Sequence, residues 1–302
     1  MGTLDLPSEP EEAGRAERSG KSGADRPITH EMPDPEERGR VYEAMRGNDQ
    51  AETGNEAEPG RCPDGIDTRS YWEEAPRLLD MWADHEKRWP PRSPAPVDHS
   101  DDPPGVDAAT AEAAHRVSEA EPGISAAAQV IEQENDHGGW LEGFEFRRKG
   151  DDRLKEKIAE QMEAEPGKSL DQIMHKIPDA IRLTFCFRPD SYVQGYYDIK
   201  ERLESSGYDM YYSKNWWTDP EYKGINTRWV APGDQRFEVQ FHTPESFHAK
   251  HYVTHAAYER IRDLTTSRSE RRELHAFQQE VSSRIRIPDG AADIPDFTKE
   301  GF

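Results

Sequence analysis

Arg236-Phe237-Glu238-Val239-Gln240-Phe241-His242 alternates between apolar and polar side chains over its whole length. That period of two specifies a β-strand with one apolar face. Phe237, Val239 and Phe241 turn to a core, and Glu238, Gln240 and His242 share the opposite face. Two readings of that polar face stand side by side: it is wetted by solvent, or it presents a row of groups to a cleft. Ala180–Phe187 repeats the pattern, with Ile181, Leu183, Phe185 and Phe187 on one side and Arg182, Thr184 and Cys186 on the other. Asp179 stands just before it. If the two strands are neighbours, Asp179, Arg182, Glu238 and Gln240 converge. Two carboxylates suit a hard cation such as magnesium, and an arginine offers a planar donor fork to phosphate oxygens.

Further elements follow outward from this pair. Arg153–Glu163 reads as a helix. Asp190 can cap a helix that runs to Ser206, with Gly207 placed to end it. Strands are expected at Tyr208–Lys214 and Gly224–Val230. Thr243-Pro244 opens another helix with a cap and an N-terminal proline, and a last helix spans Ser267–Arg286. The order predicts an α+β fold, a mixed β-sheet covered by helices on one face, over residues 137–287. Residues 288–302 read as a loose tail.

The N-terminal part differs in kind. Residues 1–136 carry 32 Asp/Glu against 14 Lys/Arg; from chain totals of 61 and 39, residues 137–302 carry 29 against 25. Residues 1–69, rich in Glu, Asp, Pro, Gly and Ser, are expected to be a largely disordered acidic region. Residues 70–136 are expected to hold helical segments and a Pro-rich linker: one helix over 70–89, a linker over 90–107, and a helix over 108–135 interrupted near Pro122-Gly123. The net charge of −22 argues against wrapping duplex DNA, which needs clustered cations. No segment nears the roughly 20 apolar residues of a membrane span, and the first ten residues lack the cation-then-apolar order of a secretory signal. Cys62 in a Pro/Gly-rich loop and Cys186 in an apolar strand fit a reducing compartment with no disulfide between them. The expectation is a cytoplasmic protein, or one delivered into the cytoplasm of a target cell.

Two more constellations carry chemistry. Arg147, Lys149, Arg153 and Lys157 recur with a spacing that a strand leading into a helix can bring together; the alternative is a solvated basic face paired with Asp151 and Glu156. Lys214-Asn215-Trp216-Trp217 and Tyr222-Lys223-Gly224-Ile225-Asn226 set aromatics beside lysines, as a platform for a stacked base would, although one of the two tryptophans is expected in the core. His248, His251 and His255 fall on one helix face. They can be read as metal ligands or as structural and nucleotide-contacting groups, and the second reading is favoured.

Taken in order, these pieces resemble the synthetase domain of the RelA/SpoT family. Arg147-x-Lys149-x3-Arg153-x3-Lys157 is similar to the family's opening Arg-x-Lys-x3-Ser-x3-Lys. Asp179-Ala-Ile-Arg182 resembles its metal-binding strand, with the Asp-to-Arg spacing shorter by two. Tyr222-Lys-Gly-Ile-Asn226 stands in place of Tyr-Gln-Ser-Leu-His. Phe237-Glu-Val-Gln-Phe-His-Thr243 resembles Val-Glu-Ile-Gln-Ile-Arg-Thr, and His255-Ala-Ala-Tyr258 echoes His-Trp-x-Tyr. The resemblance covers residues 139–262. It implies a nucleotidyltransferase-like fold and Mg²⁺-dependent transfer of pyrophosphate from ATP to the ribose 3′-hydroxyl of a nucleotide or a tRNA end. Asp179 and Glu238 would hold Mg²⁺, with Glu238 also taking the hydroxyl proton. Arg147, Lys149, Arg153, Lys157 and Arg182 would hold ATP. Tyr222, Lys214, Asn226, Gln240 and His255 would hold the acceptor. No counterpart of the family's hydrolase half is visible, which resembles the small, stand-alone and toxic members. The acidic N-terminal region is then a candidate contact for an antitoxin, immunity or delivery partner. Two other functions remain open: an NAD-using ADP-ribosyltransferase and a non-catalytic nucleotide-binding domain.

Overall fold

A computed structural model describes residues 102–301 apart from residue 264, together with Arg77, Asp80, Met81, Ala83, Asp84, Lys87 and Arg88. The expectations for residues 1–69 and for most of 70–101, Cys62 included, lie outside the described residues. Those described between 77 and 88 are helical, and Met81 packs against the core.

The remaining elements run α1 (Val106–Glu134), β1 (Trp140–Leu141), α2 (Asp151–Ala164), α3 (Leu170–Met174), β2 (Arg182–Cys186), α4 (Tyr192–Ser205), β3 (Asp209–Asn215), β4 (Ile225–Val230), β5 (Arg236–His242), α5 (Pro244–His248), a π-helical turn (Ala249–Val253), α6 (His255–Arg262), α7 (Arg268–Ser283) and β6 (Phe297–Thr298). The strands form one mixed sheet in the order β1-β2-β5-β4-β3-β6. The fold is therefore α+β with a mixed sheet flanked by helices. Only β2 and β5 run parallel, and their register sets Arg182 opposite Glu238, Thr184 opposite Gln240 and Cys186 opposite His242. On the other side of β5, Asn226 faces Gln240 and Arg228 faces Glu238.

Local chemistry explains the boundaries. Thr243 caps α5 through the Ser246 N–H, and Ser246 returns the contact, with Pro244 in the first turn. The Ser267 hydroxyl caps α7 by accepting from the Glu270 N–H. Gly207 follows α4 at φ 85°, a conformation that needs no Cβ. Between β4 and β5 the chain reverses through Gly233 and Asp234, both at positive φ.

The apolar face of the sheet packs on α4. Phe241 meets Tyr196 edge-on at 4.9 Å between ring centroids and stacks with Phe185 at 6.3 Å. The Tyr192 hydroxyl donates to the Phe241 carbonyl at 2.9 Å.

Four expectations are corrected here. Helices cover both faces, because α5 and the π turn lie over the polar one: Phe247 rests on His242, and Lys250 donates to Gln240. The helix expected to break near Pro122 is continuous for 29 residues. Its stripe from Val106 through Val117 and Ile124 to Ile131 joins the core shared with the sheet, and that burial offsets the roughly 3 kcal/mol an interior proline costs. A boundary at residue 137 thus does not part α1 from the sheet. Nor is the tail loose: Ala291 and Ile294 are buried, and β6 pairs with β3.

Phe187 lies in a slot between two glycines, where a Cβ on Gly139 or Gly195 would come within 2.1 or 2.2 Å of its ring. Gly195→Ala should destabilise the protein by about 1–3 kcal/mol, overriding the up to 1 kcal/mol that alanine gains in a helix. Urea unfolding of Gly195→Ala, alone and with Phe187→Leu, checks this: the second change should restore part of the loss.

Candidate functional site

The segment Arg147–Lys149 runs beside the start of β2. Arg182 N–H donates to the Arg147 carbonyl at 2.8 Å, and Lys149 N–H donates to the Ala180 carbonyl at 3.1 Å. This pairing sets the Lys149 side chain against Asp179, which sits in the 3₁₀ turn Pro178–Ala180 just before β2. Lys149 Nζ is 2.9 Å from Asp179 Oδ2. Lys157, from the inner side of α2, donates to both Asp179 oxygens at 3.2 Å. Asp179 and Arg182 are 3% and 5% exposed.

Burial alone would raise the Asp179 pKa, yet Lys149, Lys157 and Arg182 together hold it well below the usual carboxylate range. Lys149 is pushed down by burial and by repulsion from Lys157 and Arg182, against the pull of Asp179. The excess of three cations over one carboxylate carries Asp179 down against burial, and for Lys149 it adds to burial, the larger cause.

Next along the polar face, Gln240 donates to Glu238 and accepts from Lys250. All three are buried. Lys250 lies in the π turn, and burial, then Arg182, hold its ammonium well below the usual lysine value, with Glu238 opposing. Beyond Gln240, the Tyr222 hydroxyl donates to Asn226 Oδ1 at 2.9 Å and lies 3.0 Å from His242 Nε2. His242 Nδ1 is 2.9 Å from Ser246 Oγ. Burial, with Lys250 and Arg182 behind it, keeps this imidazole neutral. Gly224 at φ 148° makes room, since a Cβ there would meet the His242 ring at 2.8 Å.

The structure thus brings together Lys149, Lys157, Asp179, Arg182, Glu238, Gln240, Tyr222 and Asn226. It turns three other expected residues elsewhere. Arg147 pairs with Glu121 of α1, its guanidinium 4.4 Å over the Phe144 ring. Arg153 pairs on the surface with Glu156 at 2.9 Å and Glu259 at 3.6 Å. Lys214 pairs with Asp296 of the C-terminal segment and lies 5.5 Å over Trp216. His255 is buried at the start of α6, close enough to His251 to depress its titration. Of the two tryptophans, Trp217 is fully buried and Trp216 half-buried. The polar face of β5 is not wet; it is a dry polar layer.

Two members escaped sequence reading. Lys250 had no motif to mark it, because a lysine between two histidines in a helix looks solvated. His242 was read as part of the alternation and of the strand motif, with no role of its own.

Among the described residues, no three His, Cys, Asp or Glu side chains gather into a metal-holding group, the three helix histidines included. Mg²⁺, however, is commonly held by one or two carboxylates together with substrate phosphates. Glu238 and Asp179 fit that pattern in kind. Both Asp179 oxygens are covered by ammonium groups, the same groups that nucleotide phosphates would draw away.

Formally, Lys149, Lys157, Arg182 and Lys250 face Asp179 and Glu238, an excess of two positive charges in a dry site. With Lys250 discharged, the balance is still positive. The Arg182 Nη1 nitrogen is buried with no hydrogen-bond partner in the protein. Such a donor is open to what enters the site, and a polyanion answers both the charge and the geometry.

No family model and no curated protein matches the chain. Among solved structures, a chain from the crystal structure of the complex between the Type VI effector Tas1 and its immunity protein is similar at 18% identity and a TM-score of 0.40, over 60% of this chain and 96% of that one. Among the described residues, no helix is long and apolar enough to cross a membrane.

Asp179→Asn leaves two ammonium groups without their counter-charge and should destabilise the protein by about 3–5 kcal/mol. Tripolyphosphate should raise the melting temperature of this variant more than that of the wild type. An equal rise in both would deny that the cluster takes polyanions.

His248 and His251 generate a pH dependence. Burial pushes both down to about 3 from 6.5, so the unfolded chain binds protons that the folded one refuses. Stability is therefore whole above pH 6.5 and falls as pH drops from 6.5 toward 3, by up to about 1.4 kcal/mol per pH unit for each histidine. Denaturant midpoints measured across that window should fall less steeply in His248→Phe.

Proposed function

We propose that this chain transfers the β,γ-pyrophosphoryl group of ATP to the ribose 3′-hydroxyl of a nucleotide or a tRNA end. The observation that carries the reading is the buried, cation-rich cluster around Arg182, whose Nη1 has no partner within the protein, directly across the parallel strand pair from Glu238. A polyphosphate is the common biological ligand that matches such a cluster in charge and in its demand for planar donors.

In this scheme Lys149, Lys157 and Arg182 hold the triphosphate, the two lysines exchanging Asp179 for phosphate oxygens. Glu238 accepts the proton from the acceptor's 3′-hydroxyl. The freed oxygen bonds to the β-phosphorus, the bond from that phosphorus to the α–β bridging oxygen breaks, and AMP departs with that oxygen. Mg²⁺, held by Glu238 and Asp179, would supply further neutralisation of phosphate charge. Tyr222, fixed by Asn226 and His242, offers its ring to the acceptor base. Positioning and charge complementarity carry most of the rate enhancement, as no covalent intermediate on the protein is needed.

The resemblance to RelA/SpoT synthetases supports this reading through Glu238, Gln240, Arg182, Lys149 and Lys157. Arg147, Arg153 and Lys214 have other partners, so they reach a nucleotide only by leaving Glu121, Glu156 and Asp296.

The test incubates the full chain with γ-³²P-ATP, Mg²⁺ and, in parallel, GDP, GTP, ADP, ATP or bulk tRNA. Label should move to one acceptor in step with AMP release. Glu238→Gln should slow this by about 10²–10⁴-fold while the protein still folds. Undiminished transfer by Glu238→Gln removes the proposed role of that carboxylate. A folded wild type that binds a non-hydrolysable ATP analogue and transfers nothing is a binding domain. Release of nicotinamide from NAD would assign the cleft to ADP-ribosyl transfer.

A further inference from the structure

Lys250 is a buried cation that the transfer scheme leaves unused. It lies on the π turn Ala249–Val253, where Thr254 N–H bonds to the Ala249 carbonyl at 2.8 Å, five residues back. Such turns are frequent at functional sites. Its ammonium donates to Gln240 Oε1, and Gln240 Nε2 donates to Glu238 Oε1.

The order of groups in this chain is dictated by their chemistry. An ammonium can only donate, and an ionised carboxylate can only accept. A primary amide between them has one allowed orientation, oxygen to Lys250 and nitrogen to Glu238. Turned over, it would set N–H against N–H at one end and oxygen against oxygen at the other. Gln240 is 0% exposed, so bulk water does not reach it. The lysine therefore fixes the amide, and the amide fixes one oxygen of the carboxylate.

We infer that Lys250 is a positioning residue for Glu238, acting through the Gln240 amide to hold one carboxylate oxygen and leave the other directed to the acceptor hydroxyl. The inference rests on the reading of Glu238 as the proton-accepting carboxylate. Burial depresses the Lys250 ammonium; in either protonation state it carries an N–H for the Gln240 oxygen, and the acceptor-only carboxylate of Glu238 holds the amide's sense from the other end. A lysine that instead held phosphate would act on ATP binding rather than on Glu238.

The deciding experiment compares Lys250→Met, Gln240→Leu and the double variant in the transfer assay, beside side-chain amide NMR of Gln240 in the ¹⁵N-labelled protein. Lys250→Met should lower kcat by about 100-fold, the scale of a misplaced catalytic group, with KM for ATP unchanged. The double variant should be no slower than the worse single one, because both changes cut the same chain. A raised KM for ATP with kcat intact, or losses that multiply in the double variant, overturns the inference. The NMR readout stands apart from turnover: the Gln240 Nε2 protons should exchange slowly in the wild type and lose that protection in Lys250→Met. If the wild type transfers nothing, loss of protection keeps the Lys250–Gln240–Glu238 chain while the transfer reading falls. Unchanged protection overturns the chain whatever the activity. Should Lys250→Met fail to fold, Gln240→Leu decides by the same split between kcat and KM.

Discussion

The polar face of β5 is buried, and a buried polar face must satisfy its groups from within the protein or from a ligand. Glu238, Gln240 and His242 cannot turn to water: Glu238 takes Gln240 of its own strand, Gln240 takes Lys250 from the π turn, and His242 takes Ser246 from α5 and Tyr222 from the approach to β4, itself held by Asn226. The arrangement closes almost everywhere. It stays open at Arg182, where one guanidinium nitrogen is buried with no protein acceptor, and at His251 Nε2 in the covering segment. Leaving such a donor unmet costs about 1–3 kcal/mol. The neighbouring cations make the same statement in charge, for Lys149 and Lys157 converge on a single carboxylate already opposed by Arg182. An arrangement short of both an acceptor and negative charge is suited to an anion.

The parallel pairing of β2 and β5 is what makes this site. Parallel neighbours need a crossover rather than a hairpin, and here the crossover carries α4 and the β3–β4 ribbon before β5 returns beside β2. The route inserts β5 between β2 and β4. Residues about 60 positions apart, Arg182 and Glu238, thereby face one another, and the β4 side adds Asn226 and Arg228. In a sheet made only of hairpins, β2 would pair with the next strand and Arg182 would lie beside β3.

The strands were legible because alternation is a local signal, and Arg236–His242 has the boundaries its pattern implies. Thr243-Pro244, Gly207 and Ser267 gave the helix ends for equally local reasons. What stayed hidden depended on partners distant in sequence. Pro122 reads as a break until α1 is seen packed along α2 and α4, where burial outweighs proline's penalty. The basic run Arg147 to Lys157 reads as one phosphate cradle, yet only Lys149 and Lys157 point to Asp179. Arg147 is diverted by Glu121, from a helix that its own spacing says nothing about. Whether β5's polar row was wet or covered turned on α5 and the π turn, and no property of the strand itself could settle that.

Residues 244–251 show why the covering is not incidental. Every one of these eight residues is buried, Lys250 and three other ionisable groups included. In a helix, residues two apart look in nearly opposite directions, so a segment with only one covered face would expose either His248 or Lys250. Both are inside because the segment lies between two layers, the polar sheet face on one side and α7 on the other. His248 accordingly meets Tyr252, while Lys250 meets Gln240. A lysine at a surface would extend its ammonium into water; this one has no such exit, and its charge or lone pair is confined to the sheet. Any substitution that opens the space between α7 and the π turn gives Lys250 a path outward. Gln240 would then lose the constraint on its amide before any other residue of the polar layer has changed.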